Sequence, residues 1–104
     1  MQIEVRTDNH VTGSERLNEQ VEEWLHRPLE KYATRLTRIE VHLSDSVGEK
    51  HKPGDKTCKL EARVRGLDPT VVTDHAPDLR TAVTGAAAKL ERALEKEFGK
   101  LASH

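Results

Sequence analysis

Apolar residues along this chain are spaced sometimes by two positions and sometimes by three or four. That switching decides which backbone conformation can bury each segment. From Gln2 to Arg6, Ile3 and Val5 alternate with Glu4 and Arg6, the signature of a half-buried strand. From Ser14 onward, Leu17, Val21, Trp24, Leu25, Leu29, Tyr32 and Leu36 recur at helical steps, with Ser14 placed as the N-cap. Pro28 lies inside that pattern; it lacks an amide proton and crowds the preceding turn, so a kink or break is expected there. Alternation returns over Arg38 to Leu43, and again over Cys58 to Arg65, where Cys58, Leu60, Ala62 and Val64 share one side. Gly66 to Pro69 has turn composition, and the β-branched run Thr70 to Thr73 reads as a strand pairing back. Leu79, Val83, Ala86, Ala87, Leu90, Leu94, Phe98 and Leu101 then mark a long second helix. Gly85 within it costs about 1 kcal/mol relative to alanine, so a close approach to the sheet or to another helix is expected beside Ala86, Ala87 and Ala88.

The predicted order is β-α-β-β-β-α. The first helix serves as a crossover between two parallel strands, and the short turn after Arg65 demands antiparallel pairing. Each strand has one apolar face and each helix one apolar stripe, which predicts an α+β fold: a four-stranded mixed sheet with two helices packed on one face. The expected core is Ile3, Val5, Leu17, Val21, Leu25, Ile39, Val41, Leu43, Leu60, Val64, Val83, Leu90 and Leu94. Residues 1–104 are read as a single domain, without internal repeats. The stretch Ser44 to Thr57, with two glycines, a proline and several charges, reads as a long loop, mobile over Ser46 to Lys56 in the free protein. On a partner, its expected contacts are Lys50, Lys52 and Lys56.

Several functions are disfavoured by residue usage. His10, His26, His42, His51, His75 and His104 are scattered without metal-site spacing, and the single Cys58 has no cysteine partner. Cys58 falls on the inward side of its strand, where a cysteine packs as a small apolar residue. There is no phosphate-cradling glycine loop, nucleophile elbow or carboxylate pair suited to acid–base work, so neither an enzyme nor a cofactor nor a small-molecule substrate is expected. No apolar run approaches the roughly 20 residues that span a bilayer, and Met1 to Arg6 does not read as a signal peptide. A soluble, cytoplasmic protein is the expectation.

Charge carries the positive signal. The net charge is −1, which alone argues against a nucleic-acid partner. Its distribution is uneven: residues 1–26 hold two basic and six acidic side chains, residues 27–65 ten and six, and residues 66–104 five and six. At 100° per residue, Lys89, Arg92, Lys96 and Lys100 fall within an arc of about 80° on the second helix, with Glu91 and Glu95 to one side. Arg27, Lys31 and Arg35 would form a second ridge if the first helix continues past Pro28. Two such ridges side by side would straddle an RNA backbone; the plainer reading is a solvated surface laced with ion pairs.

Particular residues add a resemblance. Met1-Gln2-Ile3, His10-Val11, Ser14-Glu15 with Leu17, Leu29-Glu30-Lys31-Tyr32 followed by Arg35 or Arg38, Ile39-Glu40-Val41-His42-Leu43, and Ala82-Val83 followed by Lys89-Leu90-Glu91-Arg92-Ala93-Leu94 occur in order. Together they resemble the ribosome hibernation promoting factor and ribosome-associated inhibitor family, also called sigma-54 modulation proteins, from end to end. The likeness is to the short type, without the C-terminal dimerisation domain of long members. It implies a fold laid out like double-stranded RNA-binding domains, lodged in the mRNA and tRNA channel of the small ribosomal subunit, that silences idle ribosomes under stress. On that resemblance Lys89 and Arg92 carry rRNA binding first, with Lys31 next, and Lys96, Lys100, Arg27 and Arg35 complete the set. Homo-oligomerisation is possible but not implied. The alternative is a divergent member that keeps the fold and acts as a protein-interaction module without ribosome binding.

Overall fold

Alternating side chains place four strands in one sheet: β1 (Gln2–Thr7), β2 (Leu36–Ser46), β3 (Asp55–Val64) and β4 (Thr70–Ala76). The computed structural model describes residues 1–8, 11–46 and 55–102. The strand order is β1-β2-β3-β4, with β1 parallel to β2 and both other pairings antiparallel. Two helices, α1 (Glu15–Leu29) and α2 (Leu79–Ala102), complete the fold in the expected β-α-β-β-β-α order. Among the described residues no helix is long and apolar enough to cross a membrane.

Helix α1 starts where the Ser14 hydroxyl accepts a hydrogen bond from the Leu17 amide at 3.0 Å, satisfying one of the helix's orphan donors. It ends one residue after Pro28, and the chain tightens into a 3₁₀ turn at Glu30–Tyr32. The break expected at Pro28 is therefore a change of helix type. Leu36, whose spacing fits the α1 stripe, is instead the first residue of β2. It is still buried because the β2–β3 register shifts there: Leu36 pairs with Val64 but Arg38 pairs with Arg63, leaving Thr37 as the extra residue of a bulge. The bulge turns Leu36 inward although Arg38, two residues on, faces out. The Thr37 hydroxyl closes it by donating to the Arg63 carbonyl at 3.1 Å.

The core forms between the inward sheet face and both helices. Val21, Leu25 and Leu29 of α1, Val83, Ala86, Ala87, Leu90 and Leu94 of α2, and Ile39, Val41, Cys58, Leu60 and Ala62 of the sheet join one buried cluster. All the expected core residues but Ile3 and Val5 belong to it, and those two, on the edge strand, are partly buried against it. Cys58 is fully covered; burial, and then the neighbouring Asp74 carboxylate, push its thiol up to about 12, so it stays protonated and packs as an apolar group. The helices cover one face only, α2 over β3 and β4 and α1 against α2 and β1. Both strand ends at the β2–β3 connection run further than the alternating residues indicate, to Ser46 and from Asp55. Ser46, Asp55 and Lys56, expected in the mobile loop, are therefore in strands, and its residues 47–54, Lys50 and Lys52 among them, lie outside the described residues. Lys56 is in β3, ion-paired with Asp45.

Helix α2 approaches β4 most closely at Gly85. A β-carbon there would lie 1.8 Å from Asp74 Oδ2 and 2.9 Å from its Cγ. This is the close approach that the glycine implied, made with the sheet.

The uncovered face is a grid of charge. Glu4, Glu40 and Glu61 stand directly opposite one another across β1, β2 and β3. Such like-charge neighbours repel. The next rows answer them: Arg38 pairs with Glu4 and Glu40, Arg63 with Glu40 and Glu61, and Arg6 with Glu4 and Glu40. Glu40, at the centre, is 8% exposed. A hydrogen bond shared with Glu61, followed by the Arg38, Arg63 and Arg6 guanidiniums, holds its carboxyl below the ordinary 4.5 despite partial desolvation.

Two outcomes follow from this packing. Gly85→Ala should lower the urea midpoint, because overpacking costs about 1–3 kcal/mol and the helix-propensity gain of about 1 kcal/mol offsets only part of it. Gly99→Ala, where a new β-carbon meets nothing within 4 Å, should hold or raise stability. A lowered folded-state pKa at Glu40 stabilises fully above the ordinary carboxylate value, and that stabilisation disappears as pH falls through the lowered one. Glu40→Gln should thus be less stable than the parent at pH 7, and the gap should narrow progressively below about pH 4.5 in urea titrations.

Candidate nucleic-acid interface

The basic ridge on α2 exists as an exposed flank, but its first member is diverted. Lys89 Nζ donates to the Thr73 carbonyl at 2.8 Å and pairs with Asp74 Oδ1 at 3.1 Å. It ties α2 to the edge strand one turn beyond Gly85. Arg92, Lys96 and Lys100 are exposed, and among the described residues none of the three takes part in an ion pair. Because Gly85 and Lys89 both face β4, the arc containing these cations is the β4 flank of α2, turned away from α1.

The opposite flank of α2 is acidic and meets the chain after α1. Glu91, about 200° around the helix from Lys89, pairs with Lys31 at 3.5 Å. Lys31 also sits over the Tyr32 ring, 5.2 Å from its centroid. Partial desolvation pulls the Lys31 pKa down, but Tyr32, Glu95 and Glu91 outweigh it and the net shift is upward. Arg27, in the last turn of α1, borders a groove of about 920 Å³ whose walls include Trp24, Arg80, Thr84 and Glu91. Arg35 lies beyond the 3₁₀ turn, its guanidinium 4.4 Å from the centre of the Phe98 ring. The helix break after Pro28 thus disperses Arg27, Lys31 and Arg35. The structure does not bring them beside the α2 cations as two parallel ridges, because the Glu91 flank lies between.

One basic residue at this end was not singled out by spacing. The Arg65 amide donates to the Arg35 carbonyl at 3.2 Å, and both residues, with Thr34, Leu67 and Phe98, line a cavity of about 270 Å³. Thirty positions separate them in the chain, and they meet because Leu36 pairs with Val64 at the bulge. Only the strand register could have revealed this. Behind the cavity Phe98 packs on Tyr32, ring centroids 5.3 Å apart at 34°. Among the described residues, no group of three or more His, Cys, Asp or Glu side chains is placed to hold a metal ion.

Comparison with known proteins agrees with this architecture. The chain matches the family model described as Sigma 54 modulation protein / S30EA ribosomal protein over residues 3–102. Among solved structures it is similar to a ribosomal subunit interface protein from Coxiella burnetii, with a TM-score of 0.77 and 20% identity, covering 95% of this chain and 99% of that one. It is also similar to the N-terminal domain of Protein Y from Thermus thermophilus, with a TM-score of 0.72 and 21% identity, covering 92% and 98%. At these identities the structural likeness concerns the fold. Compared by sequence with curated proteins, the chain matches none. The family match spans nearly the whole chain, and this protein therefore belongs to the Sigma 54 modulation protein / S30EA ribosomal protein family.

Proposed function

We propose that this protein is a non-enzymatic, cytoplasmic ribosome-associated factor that binds rRNA of the small subunit and lowers translation by occupying it, as in stressed cells with idle ribosomes. The observation that carries this reading is the family match over residues 3–102. The name of one solved neighbour, a ribosomal subunit interface protein, points the same way.

A net charge of −1 does not preclude phosphate binding, because the charges are segregated on the surface. Glu4, Glu40, Glu61, Asp45, Asp74 and Glu91 are all engaged by cations of the same molecule. Among the cations outside these pairs, Arg92, Lys96 and Lys100 lie on one helix flank and are exposed to a partner. Phosphate contacts of this kind release condensed counterions, so they give affinity that falls with salt and carry no catalytic requirement. Inhibition then needs only occupancy of a surface that mRNA or tRNA must use.

The test is sedimentation of cell extract through sucrose gradients at low and moderate salt, with detection of the protein in each fraction. Co-migration with small subunits or ribosomes supports the reading, and confinement to the top fractions at both salts favours a protein-interaction module instead. Arg92→Glu with Lys96→Glu should weaken ribosome binding and flatten its logarithmic salt dependence by about 1.5–2, since two phosphate contacts are lost. Its thermal midpoint should match the parent, because both side chains are exposed and, among the described residues, outside every ion pair. Lys89→Glu should differ in kind: it sets a carboxylate against Asp74 and lowers the thermal midpoint, whatever it does to binding.

A further inference from the structure

We infer that the cavity between Arg35 and Arg65 is a site for one unpaired RNA nucleotide, its base stacked at the Arg35–Phe98 pair and its phosphate held by Arg65. The inference rests on the reading of the protein as an RNA-binding factor, and it names a contact separate from the α2 flank.

Two arginines border one cavity here. The hydrogen bond from the Arg65 amide to the Arg35 carbonyl fixes the two residues side by side on adjacent backbone segments. Elsewhere Arg6, Arg38, Arg63, Lys31, Lys56 and Lys89 all have carboxylate partners. Among the described residues, neither Arg35 nor Arg65 has one. Two arginines that border one cavity without an internal anion are suited to an external one, and a phosphate matches the planar donor fork of arginine.

The surroundings select a nucleotide over a bare phosphate. Arg35 is held over an aromatic ring that is itself buttressed by buried Tyr32, so its orientation is set before any ligand arrives. Bases of single-stranded RNA stack on such guanidinium and aromatic planes. Half-buried Leu67 and Phe98 supply apolar walls, and exposed Thr34 lies at the rim. Gly66, at φ +82, permits the tight turn, closed by the Leu67 amide on the Val64 carbonyl at 3.1 Å, that brings both Arg65 and Leu67 to the cavity. The volume, about 270 Å³, is just under the lower end of ordinary small-molecule pockets, about 300 Å³, which suits one base and little more. A base paired within a duplex cannot enter it.

The test uses the full chain and two probes, a labelled oligo(A) of about 12 nucleotides and an inorganic polyphosphate of similar charge, followed by fluorescence titration and competition. Arg35→Lys keeps the charge but loses the planar stacking surface. It should weaken oligo(A) binding by about 5-fold or more and leave polyphosphate binding unchanged. Arg65→Gln should weaken both probes and reduce the oligo(A) salt slope by about 0.7, the loss of one single-strand phosphate contact. Unchanged thermal midpoints confirm that both variants fold. The site is overturned if the parent does not bind oligo(A), if both variants bind it as the parent does, or if Arg35→Lys weakens the two probes equally. Ribosome sedimentation of the parent, run in parallel, separates the two claims. A parent that sediments with ribosomes while its variants bind oligo(A) normally refutes the site alone. One that stays at the top of the gradient, yet shows the Arg35 dependence, refutes the ribosome reading alone.

Discussion

Burial of a single sheet face beneath two helices is the constraint on which the other features of this molecule depend. A four-stranded sheet with one apolar side can hide it only if α1 and α2 lie together, and α2 then has to pass close over the edge strand β4. Gly85 permits that passage above Asp74, and Lys89 closes it from the next turn of the helix. Once α2 is seated in this rotation, the direction of every other side chain on it follows. Glu91 turns toward Lys31, and Arg92, Lys96 and Lys100 turn to the flank beside β4.

The same one-sided burial leaves the other sheet face in water, where alternation puts Glu4, Arg6, Arg38, Glu40, Lys59, Glu61 and Arg63 at outward positions of β1, β2 and β3. Three glutamates abreast would destabilise β1, β2 and β3 by mutual repulsion, but arginines in the flanking rows interleave with them. Around the buried Glu40 these pairs hold its charge, and across the face they neutralise acid locally. A chain with a net charge of −1 can still present phosphate-seeking surfaces because its charges are segregated, with Arg92, Lys96 and Lys100 on one flank of α2 and Glu91 on the other.

Those surfaces are built differently. The α2 flank is a row of flexible lysines and an arginine on one helix, suited to following a phosphate backbone without geometric demand. The Arg35–Arg65 cavity is assembled from three separate parts of the chain and backed by stacked aromatics, an arrangement that favours a specific planar partner. On the proposed RNA-binding reading, long-range attraction and local shape are divided between these two surfaces.

Periodicity along the chain was enough to establish the element order, the identity of the core residues and the placement of both helices on one face. Each of these depends only on which side of its own strand or helix a residue occupies, and apolar spacing records that directly. Pro28 likewise marked the end of α1, because a missing amide proton acts on the local backbone whatever surrounds it. Tertiary structure decided the rest. Leu36 entered β2 rather than the helix stripe because a bulge at Thr37 turned it into the core. Lys89 left the basic ridge because the seating of α2 put it within reach of Thr73 and Asp74. Arg35 met Arg65 only through the register of β2 on β3. Spacing within one element carries no information on the register or rotation of another against it; those are set when separate surfaces pack, and the functional side chains are positioned at that step.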